Sequence, residues 1–133
     1  MILFISFEQT IWFLDKIVFY IMSTEKILIL FSSVSFIFYA INSLYAKRLI
    51  DEFQRWGYGN LRKIIAYLQI LASIGLIVGL YFPLLTSIVS FLLFVMMIIA
   101  TYTRIKVKDG FIDTFPAIFY SVLNFIIFLM SLY

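Results

Sequence analysis

Four polar side chains lie in or beside long apolar stretches of this chain and are its candidates for binding a ligand. They are Asn42, Gln69, Arg104 and Asn124. An amide donates and accepts hydrogen bonds and a guanidinium binds anions, so this set suits the ring oxygens of a quinone or the headgroup of a lipid. The simpler alternative is that the amides hydrogen-bond across helix contacts and that Arg104 anchors a helix end at the membrane surface.

The residues that most often perform chemistry are absent from the sequence. It contains neither Cys nor His, which removes the thiolate nucleophile, the iron–sulfur ligands and the commonest ligand of haem and zinc. It also contains no phosphate-binding loop, nucleophile elbow or zinc motif. We therefore expect no enzymatic activity, no catalytic residue and no metal site. We also expect no cofactor, and a bound lipid or quinone is the alternative.

The candidate residues must be positioned by helices that cross a membrane. The chain is 65% hydrophobic and 13% charged, whereas about a quarter of the residues of soluble proteins are charged. Between Lys63 and Arg104 there is no charge, and Pro83 divides this run into two halves, each about long enough to cross a bilayer core. We predict an all-α membrane protein built on a four-helix transmembrane bundle. Its predicted spans are residues 27–46, 64–80, 83–102 and 114–133.

Local signals predict where three of these helices begin. Asn60 is placed to cap the second helix, and either Asp113 or Thr114 is placed to cap the fourth. Pro83 and Pro116 suit the first turn of the third and fourth helices, because a proline nitrogen lacks the proton that has no partner there.

The N-terminal segment, residues 1–23, is predicted to be an extra hydrophobic and amphipathic helix. It is apolar but carries Glu8, Asp15 and Lys16, and each such charge costs about 2.5–3.5 kcal/mol at the centre of a spanning helix. These polar residues gather on one side of a helical wheel. The pattern favours a helix that lies in the membrane interface or packs on a partner protein, and a fifth span is the alternative.

Two further features concern packing. Ala72, Gly75 and Gly79 share one face of the second span, where small residues permit close approach to another helix. After the first span, residues 49–56 place their apolar side chains on one face. This pattern predicts a short amphipathic helix on the membrane surface, ended by Gly57 in a left-handed conformation. Its surface residues are Glu52, Arg55 and Trp56.

The distribution of basic residues predicts the orientation. The connection after the first span contains five Lys and Arg residues, and the connection after the third contains three more. The turn near Pro83 and the C-terminal end contain none. Because basic connections stay in the cytoplasm, we expect both of them there, in the inner membrane of a bacterium. The formal net charge of +3 is explained by basic connections that face anionic lipid, and we expect no nucleic acid as a partner.

The sequence also resembles the DoxX-like membrane family over residues 26–133. The resemblance is carried by Glu52-Phe53, Gly57, Leu61-Arg62-Lys63, Gly75 with Gly79, Ala100 to Arg104, Lys106, Lys108-Asp109 and Pro116-Ala117. It implies a four-helix membrane domain. The namesake of the family is the small subunit of an archaeal thiosulfate:quinone oxidoreductase, and distant eukaryotic relatives assist receptor assembly or cargo export.

The chain departs from the family pattern at two positions. Gln69 stands where many members carry Glu, and Tyr102-Thr103-Arg104 stands where many carry His. Both differences weaken an inherited redox or proton-transfer role. Our first hypothesis is therefore a non-catalytic accessory or assembly subunit of a larger bacterial membrane complex, with membrane lipid and other membrane subunits as partners. The alternative is a quinone-associated membrane subunit of an oxidoreductase.

Overall fold

The bundle consists of five helices in a computed structural model that describes residues 2–133, with side chains from residue 6 onward. The helices are α1 (Ile2–Tyr45), α2 (Lys47–Arg55), α3 (Arg62–Val78), α4 (Pro83–Lys106) and α5 (Phe111–Ser131), and a single 3₁₀ turn (Gly59–Leu61) precedes α3. Residues 2–133 contain no strand. Helices α1, α4 and α5, and α3 together with the 3₁₀ turn that precedes it, are each long and apolar enough to cross a membrane. The predicted all-α fold with four candidate spans is confirmed.

The helix ends agree with the sequence signals at some positions and differ at others. Pro83 occupies the first turn of α4, and Gly57 has a φ of +88° after α2. The second predicted span is α3, and the prediction that Asn60 caps it is wrong. Asn60 lies in the 3₁₀ turn, and Leu61 precedes α3 without a side-chain cap.

The start of α5 also differs from the prediction. Gly110 precedes the helix, so Asp113 and Thr114 lie inside its first turn instead of capping it. The Thr114 hydroxyl donates to the Gly110 carbonyl at 3.0 Å. Pro116 therefore lies inside the helix, where its ring nitrogen cannot donate to the carbonyl of Ile112.

The first helix is the largest departure from the predicted element boundaries. We expected a separate helix over residues 1–23, but α1 continues without a break to Tyr45. The residues between the two predicted segments are Thr24, Glu25 and Lys26. None of them is Gly or Pro, so no residue there interrupts the helix. At 1.5 Å per residue, α1 is about 66 Å long, about twice the thickness of a bilayer core. Residues 6–22, named here the N-terminal arm, are all exposed.

The C-terminal half of α1 packs into the bundle between α3 and α5. Against α5, Phe36 and Phe31 meet Tyr120, with ring centroids 5.5 and 6.2 Å apart. The Arg62 guanidinium donates to the Ser43 carbonyl at 2.6 Å and to the Leu44 carbonyl at 3.1 Å. Carbonyls in the last turn of a helix have no partner within it, so Arg62 stabilises the end of α1 and holds the start of α3 beside it.

Candidate ligand-binding cavity

A cavity of about 970 Å³ lies between α1, α3 and α4, with α2 and α5 contributing to one end. Ligand sites in proteins commonly have volumes of about 300–1,000 Å³. The lining is almost entirely apolar. Side chains from both flanking helices, such as Leu71 of α3 and Leu92 of α4, line the cavity and are also exposed on the bundle surface. A molecule dissolved in the membrane can therefore reach the cavity from the side.

Small residues bring α3 and α4 together beside their connection. A Cβ atom on Gly79 would overlap the Thr86 side chain, and one on Gly75 would lie 3.0 Å from Val89. The Thr86 hydroxyl donates to the Gly79 carbonyl at 2.6 Å. The cavity runs along this contact, from Val78 and Leu85 near the connection past Ala72 to Gln69.

Gln69 is the most deeply buried polar residue of the cavity lining. Its side chain is 2% exposed, and its Oε1 atom accepts no hydrogen bond from any described residue. Its Nε2 atom donates only to the Met96 sulfur, at a distance of 3.7 Å. A buried polar atom without a partner costs about 1–3 kcal/mol, and a thioether sulfur is a weak acceptor. The Gln69 amide therefore keeps hydrogen-bonding capacity that the packed side chains do not use, although less than 1 Å² of Oε1 is accessible in this structure.

One end of the cavity is polar and lies beside the two basic connections; we name it the basic end. The Arg104 guanidinium lies 4.4 Å from the centre of the Trp56 ring, a distance typical of a cation–π contact. Tyr58 and Thr103 hydrogen-bond through their hydroxyls at 3.2 Å. These four side chains and Tyr39 of α1 all line the cavity.

Asp109 joins the charged groups at the basic end. Its carboxylate oxygens lie 2.7 Å from Arg55 Nη1 and 3.7 Å from Arg104 Nη1, and the Trp56 Nε1–H donates to it at 3.3 Å. Arg55 also contacts Glu52 at 2.7 Å. Two arginines and two carboxylates therefore balance each other, and the cluster ties α2 to the α4–α5 connection.

The pKa shifts outside the spans follow from this arrangement. The hydrogen bond from Arg55 is the largest influence on Asp109 and holds the pKa of its carboxyl below the usual range, although burial opposes the shift. The same hydrogen bond raises the pKa of Arg55. Arg55 and Asp109 therefore both stay charged at neutral pH.

The sequence was compared with protein-family profiles, curated proteins and solved structures. The sequence profile of the DoxX-like family matches residues 27–127, which is more than half of the chain. The chain belongs to the DoxX-like family. A search of curated proteins and a search of solved structures each returned no match. The N-terminal arm lies outside the matched range.

The DoxX-like bundle brings only two of the four candidate residues to one cavity. Gln69 and Arg104 line it, whereas Asn124 and Asn42 do not. The Asn124 Oδ1 atom accepts from the Ser32 hydroxyl at 3.0 Å, and its Nδ2 atom donates to the Tyr120 carbonyl at 2.8 Å. Asn124 therefore joins α5 to α1, while Asn42 is half-buried near the end of α1.

The remaining predicted residues lie in two places. Ala72, Gly75 and Gly79 follow the α3 face that meets the cavity and α4. Glu52, Arg55 and Trp56 lie at the basic end.

Sequence reasoning did not single out Asp109 as a member of the site. One signal was available, because Asp109 is the single acidic residue between Arg104 and Gly110. The positive φ of 64° at Lys108 turns the chain there. No spacing rule relates Asp109 to Arg55, which is more than fifty residues away.

Proposed function

We propose that this DoxX-like protein is a non-catalytic membrane subunit that holds one quinone-like or lipid-like molecule in the cavity between α1, α3 and α4. The observation that carries the proposal is a cavity of about 970 Å³ with an almost wholly apolar lining and a polar basic end. The cavity opens through the side of the bundle, where exposed apolar side chains such as Leu71 and Leu92 line it. Its size and apolar lining support an occupant with a long apolar part.

The proposed role is binding, and any electron transfer would require a partner protein. Without Cys or His, the chain has no thiolate or imidazole to hold a redox centre. As a quinone-associated subunit of an oxidoreductase, it would bind and position the ring while another subunit supplied the electrons.

Extraction of the native protein tests this proposal. The protein would be purified in mild detergent and its bound molecules identified by mass spectrometry after extraction into organic solvent. We expect close to one amphipathic molecule per chain, and its loss in Ala72→Phe, which fills the cavity beside Gly75. Val122→Phe is the control, because Val122 is exposed on α5. A wild-type protein without such a molecule would contradict the proposal.

A second candidate function, an accessory or assembly subunit that docks on another membrane protein, is favoured by the N-terminal arm. The arm carries large apolar side chains, including Trp12 and Phe13, which are 64% and 58% exposed. A photo-crosslinker at Phe13 should give a discrete protein adduct in native membranes. The same crosslinker at Ile126, on the outer face of α5, should give lipid adducts. Lipid adducts alone at both positions would count against docking by the arm.

We also propose that the protein lies in the bacterial inner membrane with both basic connections in the cytoplasm. Lys106 is exposed at the basic end, and Tyr133 is exposed at the opposite end of α5. A cysteine at Lys106 should react with an impermeant thiol reagent only after the cell is opened. A cysteine at Tyr133 should react in intact cells with a permeable outer membrane. The native chain has no Cys, so the reverse pattern would overturn this orientation.

A further inference from the structure

Among the buried side-chain nitrogen and oxygen atoms of the cavity lining, the amide oxygen of Gln69 is the one that has no hydrogen-bond partner. Gln69 lies halfway along α3 and lines the cavity. Its Oε1 atom has no partner among the described residues. Rotating the amide by 180° would not remove the problem, because the nitrogen would then face the unpartnered position and the oxygen would face a sulfur. In either rotamer one polar group has no protein partner, and a rotation of the amide toward the cavity would bring it within reach of a ligand.

The charges around the cavity argue against an anionic ligand. The apolar part of the lining contains no charged side chain, and at the basic end Arg104 is the only charged residue of the lining. Arg104 lies against the Trp56 ring and 3.7 Å from Asp109. A phosphate at Arg104 would be placed near the Asp109 carboxylate and would be repelled by it.

The depth of Gln69 points to a small and uncharged polar group. Seven residues of α3 precede Gln69 and nine follow it, so it lies about 10 Å along the helix axis from the basic end. Placing a charged headgroup at this depth in a membrane is costly. A hydroxyl or a ring carbonyl is small enough and loses little on leaving water when it forms a hydrogen bond.

We propose that the cavity selects a neutral amphipathic molecule with a long apolar tail and places one of its oxygens, a hydroxyl or a ring carbonyl, against the Gln69 amide. This inference rests on the proposed binding function and specifies the ligand and the residue that recognises it. A hydroxyl donates to Oε1, and a carbonyl accepts from Nε2. The apolar tail occupies the rest of the cavity between Ala72 and Leu92.

The fluorescence of Trp56 allows a direct test. The chain has two Trp residues, and Trp12→Phe in the exposed arm leaves Trp56, which lines the cavity, as the only reporter. Full-length protein in phosphatidylcholine nanodiscs would be titrated with decylubiquinone, which quenches indole fluorescence. Farnesol, a neutral alcohol, and dioleoyl phosphatidic acid, an anionic lipid, would then compete with it. We expect farnesol to restore the fluorescence and phosphatidic acid to have no effect.

Gln69→Leu separates recognition from folding. Because it removes an amide without partners, we expect a higher melting temperature in the absence of ligand and an affinity for decylubiquinone about tenfold lower. Gln69→Met is the second variant and should weaken binding similarly. The matched control is Gln9→Leu, since Gln9 is exposed in the arm, and it should change neither quantity.

The experiment distinguishes a failure of the proposed binding function from a failure of the proposed recognition by Gln69. If decylubiquinone, farnesol and phosphatidic acid all fail to bind the wild type, the binding function itself is contradicted. If decylubiquinone binds but Gln69→Leu and Gln69→Met leave its affinity unchanged, the recognition by Gln69 is wrong. Stronger competition by phosphatidic acid than by farnesol would show that the site selects charge, and would also overturn the inference.

Discussion

Asn124 and Gln69 are two buried amides in one bundle, and their surroundings differ completely. Asn124, at the contact of α1 and α5, uses its oxygen to accept from Ser32 and its nitrogen to donate to the Tyr120 carbonyl. Gln69, between α3 and α4, has an unpartnered oxygen among the described residues and a sulfur beside its nitrogen. The difference indicates that the first amide holds helices together and that the second faces a place for a ligand.

The same contrast applies to the space around each amide. Phe31, Phe36 and Tyr120 fill the contact between α1 and α5 with aromatic rings. Between α3 and α4 a cavity runs beside the close contact at Gly79. In a membrane, helix association depends on packing and hydrogen bonds, because lipid chains are as apolar as the side chains. The two contacts are therefore held by different means, aromatic rings between α1 and α5 and small residues with the Thr86 hydrogen bond between α3 and α4.

The largest expected effect concerns the close contact that borders the cavity. Gly79→Ala places a methyl group against Thr86, which must move α3 and α4 apart at the cost of about 1–3 kcal/mol of unfolding free energy. Unfolding in mixed micelles, followed by circular dichroism, measures this change. Gly110→Ala is the control, because a Cβ there meets nothing within 4 Å. Equal stability of the two variants would show that the α3–α4 contact tolerates a wider separation.

Asn124→Leu tests the satisfied amide and should lower the free energy of unfolding by about 1–2 kcal/mol. The change removes the acceptor of the buried Ser32 hydroxyl. It also makes the comparison quantitative, since an amide-to-Leu exchange should destabilise at position 124 and stabilise at position 69. Ser121→Ala is a milder reference, because the Ser121 hydroxyl donates only within α5. Changes of the same sign at both positions would remove the distinction between the two amides.

The smallest expected effect concerns the basic end of the cavity. Asp109→Asn removes the carboxylate that pairs with Arg55 but keeps an oxygen that accepts from Trp56. We expect the amide protons of α2 to exchange about two- to fivefold faster. Hydrogen exchange measured by mass spectrometry reports this rate. Asp113→Asn is the control, since Asp113 is exposed on α5, and an equal increase there would show that the ion pair does not hold α2.

The same carboxylate predicts a pH dependence. Its pKa lies below the ordinary value of 3.8, so its ion pair stabilises the folded state above about pH 4, and the stabilisation is lost as the pH falls through the lowered pKa. In the Trp12→Phe protein, Trp56 fluorescence should therefore be constant near neutral pH and change only below about pH 4. Asp109→Asn should abolish this transition. A transition that persists in the variant belongs to another group.

Much of the fold could be predicted from the sequence because membrane insertion depends on local composition. The three helices after residue 60, the turn at Pro83 and the left-handed Gly57 were each indicated by a few neighbouring residues. The boundary at residue 23 was predicted from charges, but a helix ends where its backbone is interrupted, and Thr24–Lys26 provide no interruption. The predicted start of α5 was also wrong. The residue before the helix is Gly110, which precedes the expected capping residues Asp113 and Thr114.

The sequence by itself determined the environment and the available chemistry, since the apolar lengths require a membrane and the absence of Cys and His is a matter of composition. It also determined which polar side chains enter the membrane. Only the tertiary structure decided which of them have partners: it paired Asn124 with Ser32, brought Asp109 to Arg55 and left Gln69 facing a cavity. These relations join residues that are distant in the chain, and they depend on the relative positions of packed helices, which no local pattern specifies.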